Sequence, residues 1–335
     1  MIESAIPTTK QIADMLREDG WTITCPLEFE SMRAEQHGRS WIYHFSIKCT
    51  GKDSIPDKLF LKTKQDRSRE SLFYSQVKGL DIPVPHCFAI RHTPCRILME
   101  DYSETHNDAC DWPTPPPQFA ALELARAIAH LHLAFWHNPG PADLPDFLSS
   151  RDGYEKYIGY LRRDVEVFLT GMGGFITPEQ TRFLQSVPSC LFSLWDSFWK
   201  PRLGSGKALP LIHGDLNPCN ILYPRQPDGR VVVIDWEAYR RGLPATDLAM
   251  LFGLHLCPSF EDAFPYLREY HATLADVGGS SYSFNDLLED YHAALMFELF
   301  FPIKLYSHQG IQDQTMLDNA FTALESFDAS FDFYH

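Results

Sequence analysis

The run DWPTPPPQ, Asp111 to Gln118, constrains this chain most, because its prolines fix φ and remove backbone donors and so admit neither regular helix nor central strand. It predicts a connector, and the hydrophobic period differs on its two sides. Before it, Tyr43, Phe45, Ile47 and Cys49 alternate with His44, Ser46 and Lys48, the two-residue period of a half-buried strand. LFLK at 59–62 predicts a second strand, and Ile82–Ile90 and Arg96–Glu100 predict two more, with Pro83 and Pro85 confining the former to an edge or an irregular path. Helices are expected over 8–20, capped by Thr8 or Thr9 and stopped by Gly20, and over 68–77, where Glu70 shares a stripe with Phe73 and Val77 before Gly79. After the connector, Leu122, Ala125, Ala129 and Leu133 fall on one helical face, and further helices are expected near 154–169, 178–198, 260–275 and 284–306. The expected division is therefore a small strand-rich lobe over 1–101 and a larger, mainly helical lobe over 102–335.

Composition removes whole classes of function. With 335 residues, 44% of them hydrophobic, the chain can bury a sizeable core. A formal charge of −15 opposes binding to nucleic acid or anionic membranes. No long uncharged apolar run predicts a membrane span, and the start MIESAIPTTKQ lacks the order of a secretory signal. Eight scattered cysteines without a CxxC pair point to reduced thiols, and the expected location is the cytoplasm.

The chemistry concentrates in LIHGDLNPCNILY, Leu211 to Tyr223, and in VVVID at 231–235. NILY and VVVID bracket an Asp228-Gly229 turn signal and predict a hairpin, which would set Asn220 across from Asp235 with side chains roughly 5 Å apart. An amide oxygen and a carboxylate suit a hard cation such as magnesium. Asp215, on the preceding loop, can reach the same place, and a base beside two metal ligands is what phosphoryl transfer requires.

HGDLNPCN followed by VVVIDWE resembles the catalytic loop and metal-binding segment of the aminoglycoside phosphotransferase and choline kinase superfamily. That resemblance implies an α+β, bilobal protein-kinase-like fold, with a small antiparallel-sheet N-lobe that binds nucleotide and a larger helical C-lobe. It implies ATP and Mg2+ as cofactors, Asp215 as the base, Asn220 and Asp235 as metal ligands, and His213 as support for the loop. Asp247, in PATDLAML, resembles the family element that buttresses the catalytic loop. The resemblance also calls for a phosphate-gripping lysine with a helical glutamate beside it, which Lys62 and Glu70 supply. Lys64 competes with Lys62, and Glu30 and Glu35 compete with Glu70. The hinge would lie at Met99, Glu100 and Asp101. The phosphate loop is thin, with Gly38 alone and backbone amides running on to Ser40, and it departs from the protein-kinase pattern.

Only eleven residues, WEAYRRGLPAT, separate Asp235 from Asp247, which leaves little room for a peptide platform. The expected acceptor is a small molecule with a hydroxyl, aminoglycoside-like or choline-like. Acids at 261, 262, 269, 276, 286, 289, 290 and 298 would serve a cationic acceptor if several met. The alternative function is a catalytically silent, kinase-fold module that binds nucleotide or ligand for regulation.

Overall fold

In the computed structural model the described residues are 6–23, 26–48, 55–108, 116–138, 140, 142–226, 229–278 and 281–331. Asp111–Pro115 of the proline connector, the expected strand end Cys49 and the turn residue Asp228 fall outside them. In chain order the first elements are α1 (Thr9–Glu18), β1 (Glu28–His37), β2 (Ser40–Lys48), β3 (Lys58–Lys64), α2 (Arg69–Val77), β4 (Cys87–His92), β5 (Cys95–Glu100), β6 (His106–Asn107) and α3 (Gln118–Ala134). Then come α4 (Arg151–Met172), α5 (Pro178–Leu194), α6 (Lys200–Ser205), β7 (Leu211–Ile212), β8 (Ile221–Pro224), β9 (Val232–Val233), β10 (Arg240–Arg241), α7 (Pro244–Leu248), α8 (Phe260–Gly278), α9 (Phe284–Glu298), α10 (Phe300–Gln309) and α11 (Gln314–Phe331).

The chain forms two compact units, Met1–Asp108 with Leu222–Ala238, and Ala109–Ile221 with Tyr239–His335. The first unit therefore continues past 101 and also takes in 222–238. The cause is pairing: β8 lies antiparallel to β6, and the Val233 N–H donates to Pro83 O at 2.8 Å.

The first unit is built on a five-stranded antiparallel sheet in the order β1-β2-β3-β5-β4. The alternating residues Tyr43, Phe45 and Ile47 of β2 and Leu59 and Leu61 of β3 pack with Ile12, Met15 and Leu16 of α1 in one buried cluster. Lys62, one position on from Leu61, points to the other face. Thr8 closes a reciprocal capping box with Gln11 that starts α1. β4 is an edge strand, as prolines just upstream of it require. β1 was not expected from the period; it ends at His37, just before the turn at Gly38 where a thin phosphate loop was expected. Nearly all its side chains are exposed, so no buried face alternates along it, and charges at Glu28, Glu30, Arg33 and Glu35 blunt the free edge.

The second unit is mainly helical. Two stretches go beyond the periodicity. α7 runs on as a wider π-type turn over Ala249–Leu256 that is buried on every side but His255, and so shows no amphipathic period, while α11 ends the unit. The expected helix 284–306 is two helices, because Pro302 cannot receive a turn that continues through residue 298. Among the described residues no helix is long and apolar enough to cross a membrane.

Candidate active site

In the first unit, β3 and α2 bring Lys62 and Glu70 together, and the segment after β9 adds Asp235. Lys62 Nζ lies 2.7 Å from Glu70 Oε2 and 2.8 Å from Asp235 Oδ1. The aligned hydrogen bond goes to Asp235; none reaches Glu70 Oε2, so the Glu70 contact is an ion pair set by distance. Burial alone would lower the Lys62 ammonium, but the two carboxylates outweigh it and hold the group above the ordinary lysine value. Burial pushes the Glu70 carboxyl up, and Lys62 offsets that only in part. Of the competing residues, Glu30 is exposed, Glu35 pairs with His44 and Arg33, and Lys64 donates to Glu237 at 3.1 Å.

Asp235 sits at φ +62°, a left-handed conformation that points to local constraint. Two neighbours supply it. Trp236, fully buried, stacks on Phe73 of α2 with centroids 4.0 Å apart, and its indole N–H donates to Val233 O at 2.9 Å. Glu237 accepts from Ser68 at 2.5 Å as well as from Lys64, and these hydrogen bonds overcome burial to hold its carboxyl below the usual range.

Gly38, at φ +57°, turns the β1–β2 hairpin, and Ser40 is buried opposite His37 in the register. Met99 is buried in β5; the Glu100 N–H donates to His86 O at 3.0 Å and the Asp101 N–H, more weakly, to Lys58 O at 3.4 Å, so these donors are engaged. The Asp101 carboxylate faces His44 Nδ1 at 2.7 Å, which raises the imidazole, while bonds from His44 and Ser103 outweigh burial and lower the carboxyl.

In the second unit, Gly214 at φ +79° makes the turn after β7 that a side chain would disfavour. The buried Asp247 carboxylate accepts the backbone N–H of His213 at 2.7 Å and of Gly214 at 2.8 Å. His132 of α3, with no exposed surface, faces the same carboxylate at 3.2 Å and Tyr270 at 2.8 Å. Burial would raise Asp247, yet His132 and these backbone donors hold it below the ordinary aspartate value. His213 is fully buried, and its Nδ1 accepts the Asp215 N–H at 3.3 Å. Asn217 accepts from Cys219 N–H and donates to Asp215 Oδ1 at 3.1 Å, and Asn220 Nδ2 donates to Asp215 O at 2.8 Å. Asp215 is thereby fixed by a loop braced from four side chains.

Asn220 closes a short 3-10 turn, Pro218–Asn220, and Asp235 lies past the end of β9, so neither belongs to the ladder in which they were expected to face each other. Pro218 and the Asn217 cap impose the turn. Residues not singled out from the sequence are Asn217, Glu237, Ser68 and His44; the Asn-Pro step was the one available signal. His132, on the buried side of α3, also holds Asp247.

The model of the phosphotransferase enzyme family (APH) matches residues 56–279, which contain Lys62, Glu70, Asp215, Asn220, Asp235 and Asp247. This chain belongs to the phosphotransferase enzyme family. Solved structures similar to this family member include choline kinase from Cryptosporidium parvum, with TM-score 0.58 and 13% identity over 97% of each chain. A Ralstonia eutropha protein assigned as an aminoglycoside phosphotransferase has TM-score 0.56 and 16% identity over 97% of this chain and 98% of its own. An aminoglycoside phosphotransferase from Alicyclobacillus acidocaldarius has TM-score 0.50 and 15% identity over 90% of this chain and 92% of its own. At these identities the likeness is one of fold, the α+β kinase-like fold. Comparison with curated protein sequences gives no match.

Proposed function

We propose that this phosphotransferase family member transfers the γ-phosphoryl group of ATP, with magnesium, to a hydroxyl of a small molecule. The observation that most supports this reading is the convergence of Lys62, Glu70 and Asp235 from a strand, a helix and a distant segment into one charged cluster. Lys62 is the group that neutralises nucleotide phosphates, and Glu70 keeps it aimed. The hinge segment Met99–Asp101 is the proposed adenine neighbour, and the Gly38–Ser40 turn the proposed phosphate cover. Asp215 is the base: it orients the acceptor hydroxyl and takes its proton as the oxygen bonds to phosphorus, while the bond to the leaving ADP breaks, giving a phosphate ester and ADP.

The donor set fits magnesium. The Asp235 side chain is 47% exposed, and the Asn220 amide nitrogen is spent on Asp215, so each would offer an oxygen. Magnesium takes few protein ligands and completes its shell with phosphate and water. Bound there, magnesium supplies charge neutralisation on the phosphates.

The test is acceptor-dependent ADP release beside calorimetric nucleotide binding. Asp215→Asn should lose turnover and keep nucleotide affinity, and Asp235→Asn should lose turnover through weakened metal-dependent binding. Full activity in Asp215→Asn removes the assigned base.

A further inference from the structure

The second unit holds a cavity of about 330 Å³ beside Gly214, the neighbour of Asp215, at the lower end of the usual range for small-molecule sites. Its lining is mainly aromatic and aliphatic, with Phe147, Tyr157, Trp199, Phe297 and Phe301 among the side chains. Arg240, Glu298 and Lys304 are its charged residues.

We infer that this cavity is the acceptor site and that the acceptor is a compact, uncharged alcohol with an apolar ring body. The inference rests on the phosphotransferase reading above and gives it a substrate class.

Two observations turn the site away from cations. The first concerns the acids of the C-terminal helices. Glu269 pairs with Arg126, Asp290 with Arg202, Asp286 caps α9, and Glu261 and Asp262 bond Ser330 and Ser259. Asp276 and Glu289 are exposed and do not line the cavity. Glu298 is the only acid in the lining, and it faces the charges of Arg240 and Lys304. Burial pushes its carboxyl up to about 7, so at neutral pH it carries a full charge only part of the time. A polyamine would bring several ammonium groups to two fixed cations, with only Glu298 and the nearby Asp215 carboxylate to meet them, so most would be buried without a counter-charge.

The second observation concerns the rings. A quaternary ammonium needs an open aromatic face. Phe147 stacks on Tyr157 with centroids 4.1 Å apart, and Lys304 Nζ lies over the Tyr157 ring at 5.0 Å while donating to its hydroxyl at 2.7 Å. This ring is therefore already engaged by the protein's own cation. Phe297, half-buried, leaves apolar surface for a ring, and Glu298, in the same lining, is the group to meet a polar substituent.

The experiment uses the full chain with three probe classes: 2-phenylethanol and larger uncharged aryl alcohols, choline, and kanamycin. Each is followed by calorimetry without nucleotide and by phosphoryl mass gain with ATP and magnesium. The uncharged ring alcohols should bind and gain a phosphoryl group, and Phe297→Ala should weaken that binding about tenfold or more. Phe297→Leu, checked for an unchanged melting temperature, covers the case in which the alanine variant fails to fold. Lys304→Met should open Tyr157 and raise choline affinity, which a merely structural lysine would not do. Binding or phosphorylation of kanamycin or choline in preference to the uncharged alcohols overturns the inference and leaves the phosphotransferase reading standing. No binding of the uncharged alcohols overturns it as well. Binding of those alcohols without phosphorylation of any probe keeps the pocket and removes the phosphotransferase reading.

Discussion

Lys62 shows how much one residue depends on its neighbours. A lysine that is 13% exposed loses much of its hydration, and it stays charged because two carboxylates approach within 2.8 Å. Lys62→Met should therefore leave Glu70 and Asp235 facing each other without a cation. Nucleotide affinity should fall by about tenfold or more, measured by calorimetry, with a lower melting temperature as well. Glu70→Gln should act more mildly on affinity, since Asp235 still holds the aligned hydrogen bond to Nζ. The family resemblance called for a lysine and a helical glutamate, which Lys62 and Glu70 supply; Lys64 leaves the same face of the strand, and only its partner, Glu237, sets it apart.

At the scale of elements, α2 and the segment after β9 are joined by the Phe73–Trp236 stack, and α3 and α7 meet the loop after β7 through His132 and Asp247. Trp236→Ala should cost about 3–5 kcal/mol in stability, the usual loss for a buried large aromatic, and should misplace Asp235, so that magnesium-dependent nucleotide binding weakens together with stability. Asp247→Asn tests the loop. Its folded carboxyl lies below the ordinary aspartate value, so the stability it contributes is present above that ordinary value and is lost as pH falls through the lowered one. In acid unfolding the wild type should show this loss between the ordinary and the lowered value, and Asp247→Asn should be less stable at pH 7 and lack that part of the acid transition. The element reading from sequence succeeded where one face is buried, as in α1, β2 and α2. It failed for β1, whose exposed edge has no apolar period, and for Ala249–Leu256, where burial on nearly every side removes the period.

For the whole molecule, the −15 charge and the two units set the conditions under which activity and stability are measured. Phosphoryl transfer should stop on chelation of divalent cations and return with magnesium, and stability without nucleotide should change little, because Lys62 pairs with Asp235 without help from nucleotide. Glu298 works in the opposite sense to Asp247. Its folded carboxyl is raised to about 7, so its contribution is full below the ordinary glutamate value and is lost as pH rises toward 7. From this group stability should fall between pH 5 and pH 8 by on the order of 3 kcal/mol, read as a lower melting temperature, and Glu298→Gln should remove that part of the slope while Asp290, also raised to about 7, keeps its own. An unchanged slope in Glu298→Gln would assign the pH dependence to another buried acid.

HGDLNPCN and VVVIDWE, with Lys62, Glu70 and Asp247 in order along the chain, were enough to point to the family and, through that resemblance, to the α+β class, because each motif is local. Tertiary structure decided the rest. That 222–238 belongs with the N-terminal residues follows from β6–β8 pairing across more than a hundred residues, which no local pattern encodes. His132 became a partner of Asp247, and seven of the eight C-terminal acids were withdrawn from the cavity by pairing, capping or exposure elsewhere. Charge in a sequence is only a count; which charges meet, and which a pocket retains, depends on side chains brought together by packing.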